Sequence, residues 1–398
     1  MAGSAAREIL GNLVRIGSAA AGEAVRTVPA RRAGDVPVRP GEVNPVWLTA
    51  VLCAEHPGAT VTGCEVVPVS SGTSSRFRIS VTYDEAGVAA GLPTRVFVKS
   101  TAGVLQRLTL HLADVLVQEP AFYNELRPAL DIEAPRGFHG AAHPATGRCV
   151  VLIEDVAASR GAVFLDPTVP FTRPEIEGLL TETARRHGQL WADPSLSGYG
   201  FLKTPDVHFA NLDRLIGMNA RSRVGLRRSA PVLPPEPDDG PSPDVLYSAL
   251  RRSLDQAATG PQTLLHGDAH IGNTYRTADG RTGFVDWQVV MRGSWACDVA
   301  YLITSGLAVE DRRAWERDLL GLYLEELAKA GGAAPDPEAA WLAYRRQTLY
   351  PLYIWLTTRG RNAIQPKYQP DAVCDAIIGR TAVAVRDLDA VGAVGRAA

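Results

Sequence analysis

Apolar and polar residues along this chain follow one rhythm in the first 160 positions and another afterwards. Phe77, Ile79, Val81 and Tyr83 alternate with polar neighbours, the period of a strand with one face buried. Val66-Val67-Pro68-Val69 predicts a short strand before it, and Ser70–Ser75 a turn of small residues between the two. Arg95-Val96-Phe97-Val98-Lys99 predicts a third strand, and Cys149–Glu154 a buried one. Ahead of these, Pro45–Leu52 predicts a helix with Asn44 as its N-cap and Pro45 at its first position. Helical periodicity dominates later, over 174–191, 310–331 and 337–358. The fold class expected is therefore α+β, a β-rich lobe followed by a mainly helical one. The boundary falls near Ala157, giving an N-terminal extension over 1–44, a first lobe over 45–157 and a second over 158–398. Residues 1–26 are amphipathic and mixed in charge, which predicts a packing helix and not a signal peptide or membrane anchor.

Bulk composition removes several classes of function. A net charge of −2 gives no field for nucleic acid. No apolar run is long enough to span a bilayer. The five cysteines are widely spaced, with no pair at metal-ligand or redox-motif spacing, so a cytoplasmic setting is expected. Lysine is scarce: only Lys99, Lys203, Lys329 and Lys367 stand among 41 basic residues, and Lys99 is alone in the first 200 positions. A lysine against that bias suggests a task for a compact point charge on a flexible stem.

The candidate chemistry is concentrated in His266-Gly267-Asp268-Ala269-His270-Ile271-Gly272-Asn273, followed by Asp286 at the end of Thr282-Gly283-Phe284-Val285. Asp279-Gly280 signals a two-residue turn. Folding about it sets Asn273 opposite Asp286, an amide and a carboxylate within reach of one Mg²⁺ ion. Asp268, five residues before Asn273, is placed to orient a hydroxyl for phosphoryl transfer. A zinc hydrolase using His266, His270 and Asp268 is the competing reading; Gly267 and Gly272 argue against the helix that would align the two histidines.

These residues resemble the catalytic motif of the aminoglycoside phosphotransferase/choline kinase-like superfamily. Leu265–Asp268, Val285–Gln288 and Arg292–Tyr301 look most like its ecdysteroid kinase-like branch. The resemblance implies a two-lobed protein-kinase-like fold and an ATP-dependent kinase, GTP not excluded, acting with Mg²⁺ on a small-molecule alcohol. It implies Asp268 as catalytic base, Asn273 and Asp286 as Mg²⁺ ligands, and Asp298 as an internal brace of the loop. The first lobe would then bind the nucleotide. Lys99 would pair the α/β-phosphates, with Glu119 as its partner and Glu125 as the alternative because Pro120 follows Glu119. Ser71, Gly72 and Thr73 would cover the phosphates, and Val151–Glu154 would be a hinge whose backbone meets the adenine edge. Arg292 is open between a phosphate and a nearby carboxylate. The alternative function is a catalytically silent kinase-fold module. Residues 160–260 carry twelve acidic and twelve basic side chains, no net field for a polycationic acceptor. The basic run Arg221, Arg223, Arg227 and Arg228 is open between a solvated helix face and a grip on an anionic acceptor.

Overall fold

The computed structural model describes residues 2–25, 28–72, 74–235, 241–362 and 367–395. It divides into two compact units, the first made of Met1–Ala129 and Pro135–Ala162, the second of Leu130–Ala134 and Val163–Ala398. The first is rich in strands and the second in helices, the α+β class expected.

The first unit is built on five antiparallel strands, β1 (Val61–Ser71), β2 (Ser75–Tyr83), β3 (Arg95–Ser100), β4 (Gly137–His143) and β5 (Arg148–Glu154), in the order β1-β2-β3-β5-β4. Its helices are α1 (Ala2–Val25), α2 (Pro45–Leu52), α3 (Glu85–Ala89), α4 (Val104–Leu112), α5 (Gln118–Ala121) and α6 (Val156–Ser159). The alternation in β2 does what its period requires: Phe77 and Ile79 are buried at 1% exposure, against Trp47 and Leu48 of α2. Each such side chain contributes roughly 1.5–3 kcal/mol by leaving water. Asn44 starts α2 by accepting from the Trp47 N–H at 3.1 Å. Lys99 stands opposite Arg76 on β2 and Val151 on β5, and Val98, its neighbour, points into the core.

Helix α1 docks on α4 through a charged cluster. The buried Arg107 guanidinium donates to both carboxylate oxygens of Glu23, at 3.0 and 2.7 Å, and to the Thr101 carbonyl at 3.0 Å. The continuation of α5 is wound as a π-helix over Phe122–Leu126.

The second unit holds short strands β6 (Val163–Phe164), β7 (Thr263–Leu265), β8 (Thr274–Arg276), β9 (Thr282–Phe284) and β10 (Met291–Gly293). Around them are α7 (Arg173–Gln189), α8 (Pro205–Ile216), α9 (Met218–Arg228), α10 (Pro243–Ala257), α11 (Ala296–Gly306), α12 (Val309–Lys329), α13 (Pro337–Gln347), α14 (Leu349–Arg359), α15 (Asp371–Asp387) and α16 (Ala390–Gly395). Every residue of α11 is buried, which makes it the central helix of this unit. Leu130–Ala134 is stitched to the strands: the Glu133 carbonyl accepts from Phe284 N–H at 3.1 Å, and its carboxylate accepts from the Tyr275 hydroxyl at 2.8 Å.

The β8–β9 hairpin differs from the expected register by one residue. Tyr275 faces Gly283, and the loop is Ala278-Asp279-Gly280, three residues long. Thr277 N–H donates to Arg281 O at 2.8 Å and Gly280, at φ +87°, closes the turn in the left-handed region. Three-residue loops closed by a left-handed glycine are the next commonest hairpin connections, and Gly280 takes that closing position here. Asn273 consequently pairs with Val285, whose N–H donates to its carbonyl at 2.9 Å, and Asp286 falls one position beyond with φ 67°.

Among the described residues no helix is long and apolar enough to cross a membrane.

Candidate active site

In the second unit the loop between β7 and β8 carries His266, Asp268, His270 and Asn273. Gly267 allows the first bend: its φ is +80°, and a Cβ there would lie 2.2 Å from the Val289 carbonyl oxygen. Beyond it, the His270 ring nitrogen Nδ1 accepts from Gly272 N–H at 3.0 Å and starts the short helical turn Ile271–Asn273.

Both oxygens of Asp268 are engaged. Oδ1 accepts from the Tyr301 hydroxyl at 2.9 Å, and Oδ2 accepts from the Asn273 amide at 3.2 Å, with His270 Nε2 3.8 Å away. The same Asn273 Nδ2 donates to the Asp268 carbonyl at 2.9 Å. The Tyr301 hydroxyl in turn accepts from Trp355 Nε1 at 2.8 Å. Burial first, and then the Asp268 charge, push the Tyr301 phenol well above its ordinary value, so it stays a donor.

Below the loop lies Asp298, one helical turn before Tyr301 on α11. It accepts from His266 N–H at 2.7 Å and from Gly267 N–H at 3.0 Å. Arg186 Nη2 approaches it at 2.6 Å and His187 Nε2 at 3.5 Å. Burial alone raises a carboxyl, but the His187 hydrogen bond and the Arg186 charge outweigh it and hold Asp298 well below the carboxylate range. Arg186 also stacks over the Phe284 and Trp287 rings, at 5.2 and 5.3 Å.

His266 is fully buried, and burial lowers its pKa, so the ring is neutral. Its Nε2 lies 2.9 Å from the Val285 carbonyl and its Nδ1 accepts from Asp268 N–H at 3.3 Å. Both nitrogens are thereby used, which leaves no lone pair for zinc. Among the described residues no group of three His, Cys, Asp or Glu side chains is arranged to hold a metal. The donor set of Asn273 and Asp286 suits Mg²⁺ instead: hard oxygens, few of them, the rest coming from phosphate and water. Asn273 commits its Nδ2 to Asp268, which turns its Oδ1 the other way.

In the first unit Lys99 and Glu119 are brought together, Nζ to Oε1 at 2.7 Å, both nearly buried. Pro120 sits in the first turn of its helix, where a missing N–H is tolerated, so Glu119 keeps a helical position at the turn's start. Glu125 is exposed. Ser71 ends β1 and Gly72 follows it, while Thr73 lies outside the described residues. Glu154 is taken up within the unit: Oε1 accepts from Ser159 at 2.6 Å, Oε2 from Arg160 at 2.5 Å, and its N–H donates to Arg136 O at 2.9 Å. Burial raises its carboxyl, but Arg160 and Ser159 bring it below the usual value. Arg292 donates to the Gln262 side-chain carbonyl.

Sequence reasoning passed over Arg186, His187, Tyr301 and Trp355. One signal was present for His187: at helical spacing it follows Ile176, Leu180 and Thr183, which makes it a polar ring on the buried face of α7.

The chain belongs to the phosphotransferase enzyme family, whose model matches residues 66–345. Among solved structures it is similar to a putative aminoglycoside phosphotransferase of Ralstonia eutropha, at 14% identity and TM-score 0.48, covering 86% of this chain and 94% of that one. It is also similar to an ethanolamine kinase of Plasmodium vivax, at 11% identity and TM-score 0.45, covering 82% and 83%. A third is a macrolide 2′-phosphotransferase of Brachybacterium faecium, at 15% identity and TM-score 0.41, covering 83% and 98%. No curated protein matches the sequence.

Proposed function

We propose that the protein is an ATP-dependent, Mg²⁺-assisted kinase that transfers the γ-phosphate to a hydroxyl of a small molecule. The observation that carries this reading is the state of Asp268: a carboxylate with both oxygens held by neutral donors, on a loop whose N–H groups are gripped by the buried Asp298.

The second unit supplies the base. Asp268 orients the acceptor hydroxyl and takes its proton as the new O–P bond forms and the bond from the γ-phosphorus to the ADP oxygen breaks. Mg²⁺ held by Asn273 Oδ1 and the Asp286 carboxylate would neutralise phosphate charge as it develops. Asp298, Arg186 and neutral His266 touch no substrate; they fix the loop so that little reorganisation accompanies the reaction. In the first unit Lys99, aligned by Glu119, pairs the α/β-phosphates, and the turn of Ser71, Gly72 and Thr73 covers them. Glu154 contributes only its carbonyl oxygen, as an acceptor for the adenine edge.

Charge in the second unit bears on the acceptor. Residues 160–260 balance twelve acidic against twelve basic side chains, which favours a neutral or weakly charged alcohol over an aminoglycoside polycation. The test is incubation of the protein with MgATP and a panel of hydroxylated metabolites and antibiotics, read by ADP release and by mass spectrometry of a phosphorylated product. Mg²⁺-dependent ADP release with a matching phosphorylated compound is expected. A protein that binds no nucleotide with or without Mg²⁺ overturns the reading.

A further inference from the structure

Kinases that cover phosphates with a tight backbone turn generally use several glycines to let the chain approach them. Here the turn after β1 has one, Gly72, between Ser70-Ser71 and Thr73-Ser74-Ser75. Something else has to hold its shape. The neighbouring helix α4 provides it through a single side chain.

Gln106, on the first turn of α4 and 8% exposed, reaches both limbs of the turn. Its Nε2 donates to the Gly72 carbonyl at 3.0 Å. Its Oε1 accepts from the Ser75 hydroxyl at 3.1 Å and from the Gly103 N–H at 2.9 Å, the latter at the start of its own helix. Ser71 and Ser75 are themselves ladder partners, and Gly72 N–H donates to the Ser74 carbonyl at 3.0 Å, so the amide closes a turn already folded on itself. Ser74 is 5% exposed, with a hydroxyl that finds no partner among the described residues, a buried donor inside that turn. The next residue, Arg107, is fixed by Glu23 of α1 and by the Thr101 carbonyl, so the helix that presents Gln106 is anchored from its other side.

We infer that Gln106 is the positioning residue of the phosphate-covering turn, holding through Gly72 and Ser75 a conformation that glycines would otherwise permit. The inference rests on the kinase reading above. Gln106 acts through the turn and touches no nucleotide itself; its loss therefore weakens recognition of the phosphates and leaves the nucleoside alone.

Calorimetric titration of the full chain with AMP-PNP and Mg²⁺, and separately with adenosine, tests this. For Gln106→Met, similar in size but without the amide, AMP-PNP should bind roughly tenfold more weakly while adenosine affinity stays within about twofold of wild type. Ser75→Ala removes one of the bonds without burdening the fold, and should weaken AMP-PNP by roughly threefold in the same direction. Unchanged AMP-PNP affinity in both variants, or an equal loss for AMP-PNP and adenosine, overturns the inference. A wild-type protein that binds neither compound instead overturns the kinase reading beneath it, so the two failures are distinguishable.

Discussion

Lys99 in the first unit and Asp298 in the second are both buried charges, but they are held in different ways. Lys99 is a flexible ammonium meeting the Glu119 carboxylate at 2.7 Å. Asp298 accepts from two backbone N–H groups and from Arg186, with His187 beside it, and sits in a fully buried helix. The stem of a lysine can turn, which suits the phosphate contact proposed for it. An anion that only supports a loop is surrounded until it has no other geometry. A buried charge can sit on a flexible side chain or be fixed by backbone N–H groups, and the roles proposed for Lys99 and Asp298, phosphate contact and loop pre-organisation, follow that difference.

The largest break in this comparison comes from Asp298→Ala. It leaves the Arg186 guanidinium buried without its carboxylate and strips the acceptor from the His266 and Gly267 N–H groups. A loss on the order of 3–5 kcal/mol is expected in a denaturant titration. A loss under about 1 kcal/mol would show that the scaffold lies elsewhere.

Acid should attack the same scaffold. Burial, opposed by the Asp298 hydrogen bond, lowers His187 from 6.5 to about 4. The unfolded chain takes up this proton as pH falls through 6.5, whereas the folded chain refuses it until about 4. Stability is therefore complete above 6.5 and falls as pH drops towards 4, by on the order of 3 kcal/mol from this group. His266 is shifted in the same direction by burial and adds to the slope. Tm measured across that window should decline, and His187→Gln should flatten the decline; an equal slope in both proteins excludes His187 as the source.

Smaller effects separate function from fold. Tyr301→Phe removes one donor from Asp268 and the acceptor of the Trp355 N–H; it should lower kcat by roughly tenfold or more with the KM values little changed, and cost about 1–3 kcal/mol of stability. In an Asp268→Asn background the same substitution should lower kcat no further, because the two act as a unit. Independent, additive losses would contradict that coupling. In the first unit, Glu119→Gln should weaken AMP-PNP binding by roughly tenfold while Glu125→Gln, at an exposed position, stays within about twofold. The reverse order would make Glu125 the lysine's partner in the working state.

What could be read before the structure was what local sequence determines. Strand period, the Asn44 cap and the concentration of Asp268 and Asn273 in one loop all follow from neighbours in the chain. The hairpin register did not, because Asp279-Gly280 is compatible with two loop lengths, and the structure has the longer one, closed by a left-handed Gly280. Tyr301 and Trp355 were out of reach for another reason: an aromatic on a buried helix looks like core packing until tertiary structure shows which polar atom it meets. Arg186 was hidden in the same way, 112 residues from the Asp298 it pairs with. Gln106 carried no signal, since an amide in a helix's first turn is ordinary.

The role proposed for Asp268 is that of base in a phosphoryl transfer. Its most direct test is Mg²⁺-dependent ADP release, with an acceptor found in the hydroxyl panel, compared between wild type and Asp268→Asn. The variant should lose about 10²–10⁴-fold in turnover while still binding AMP-PNP and melting within a few degrees of wild type. A folded Asp268→Asn protein with wild-type turnover would contradict it.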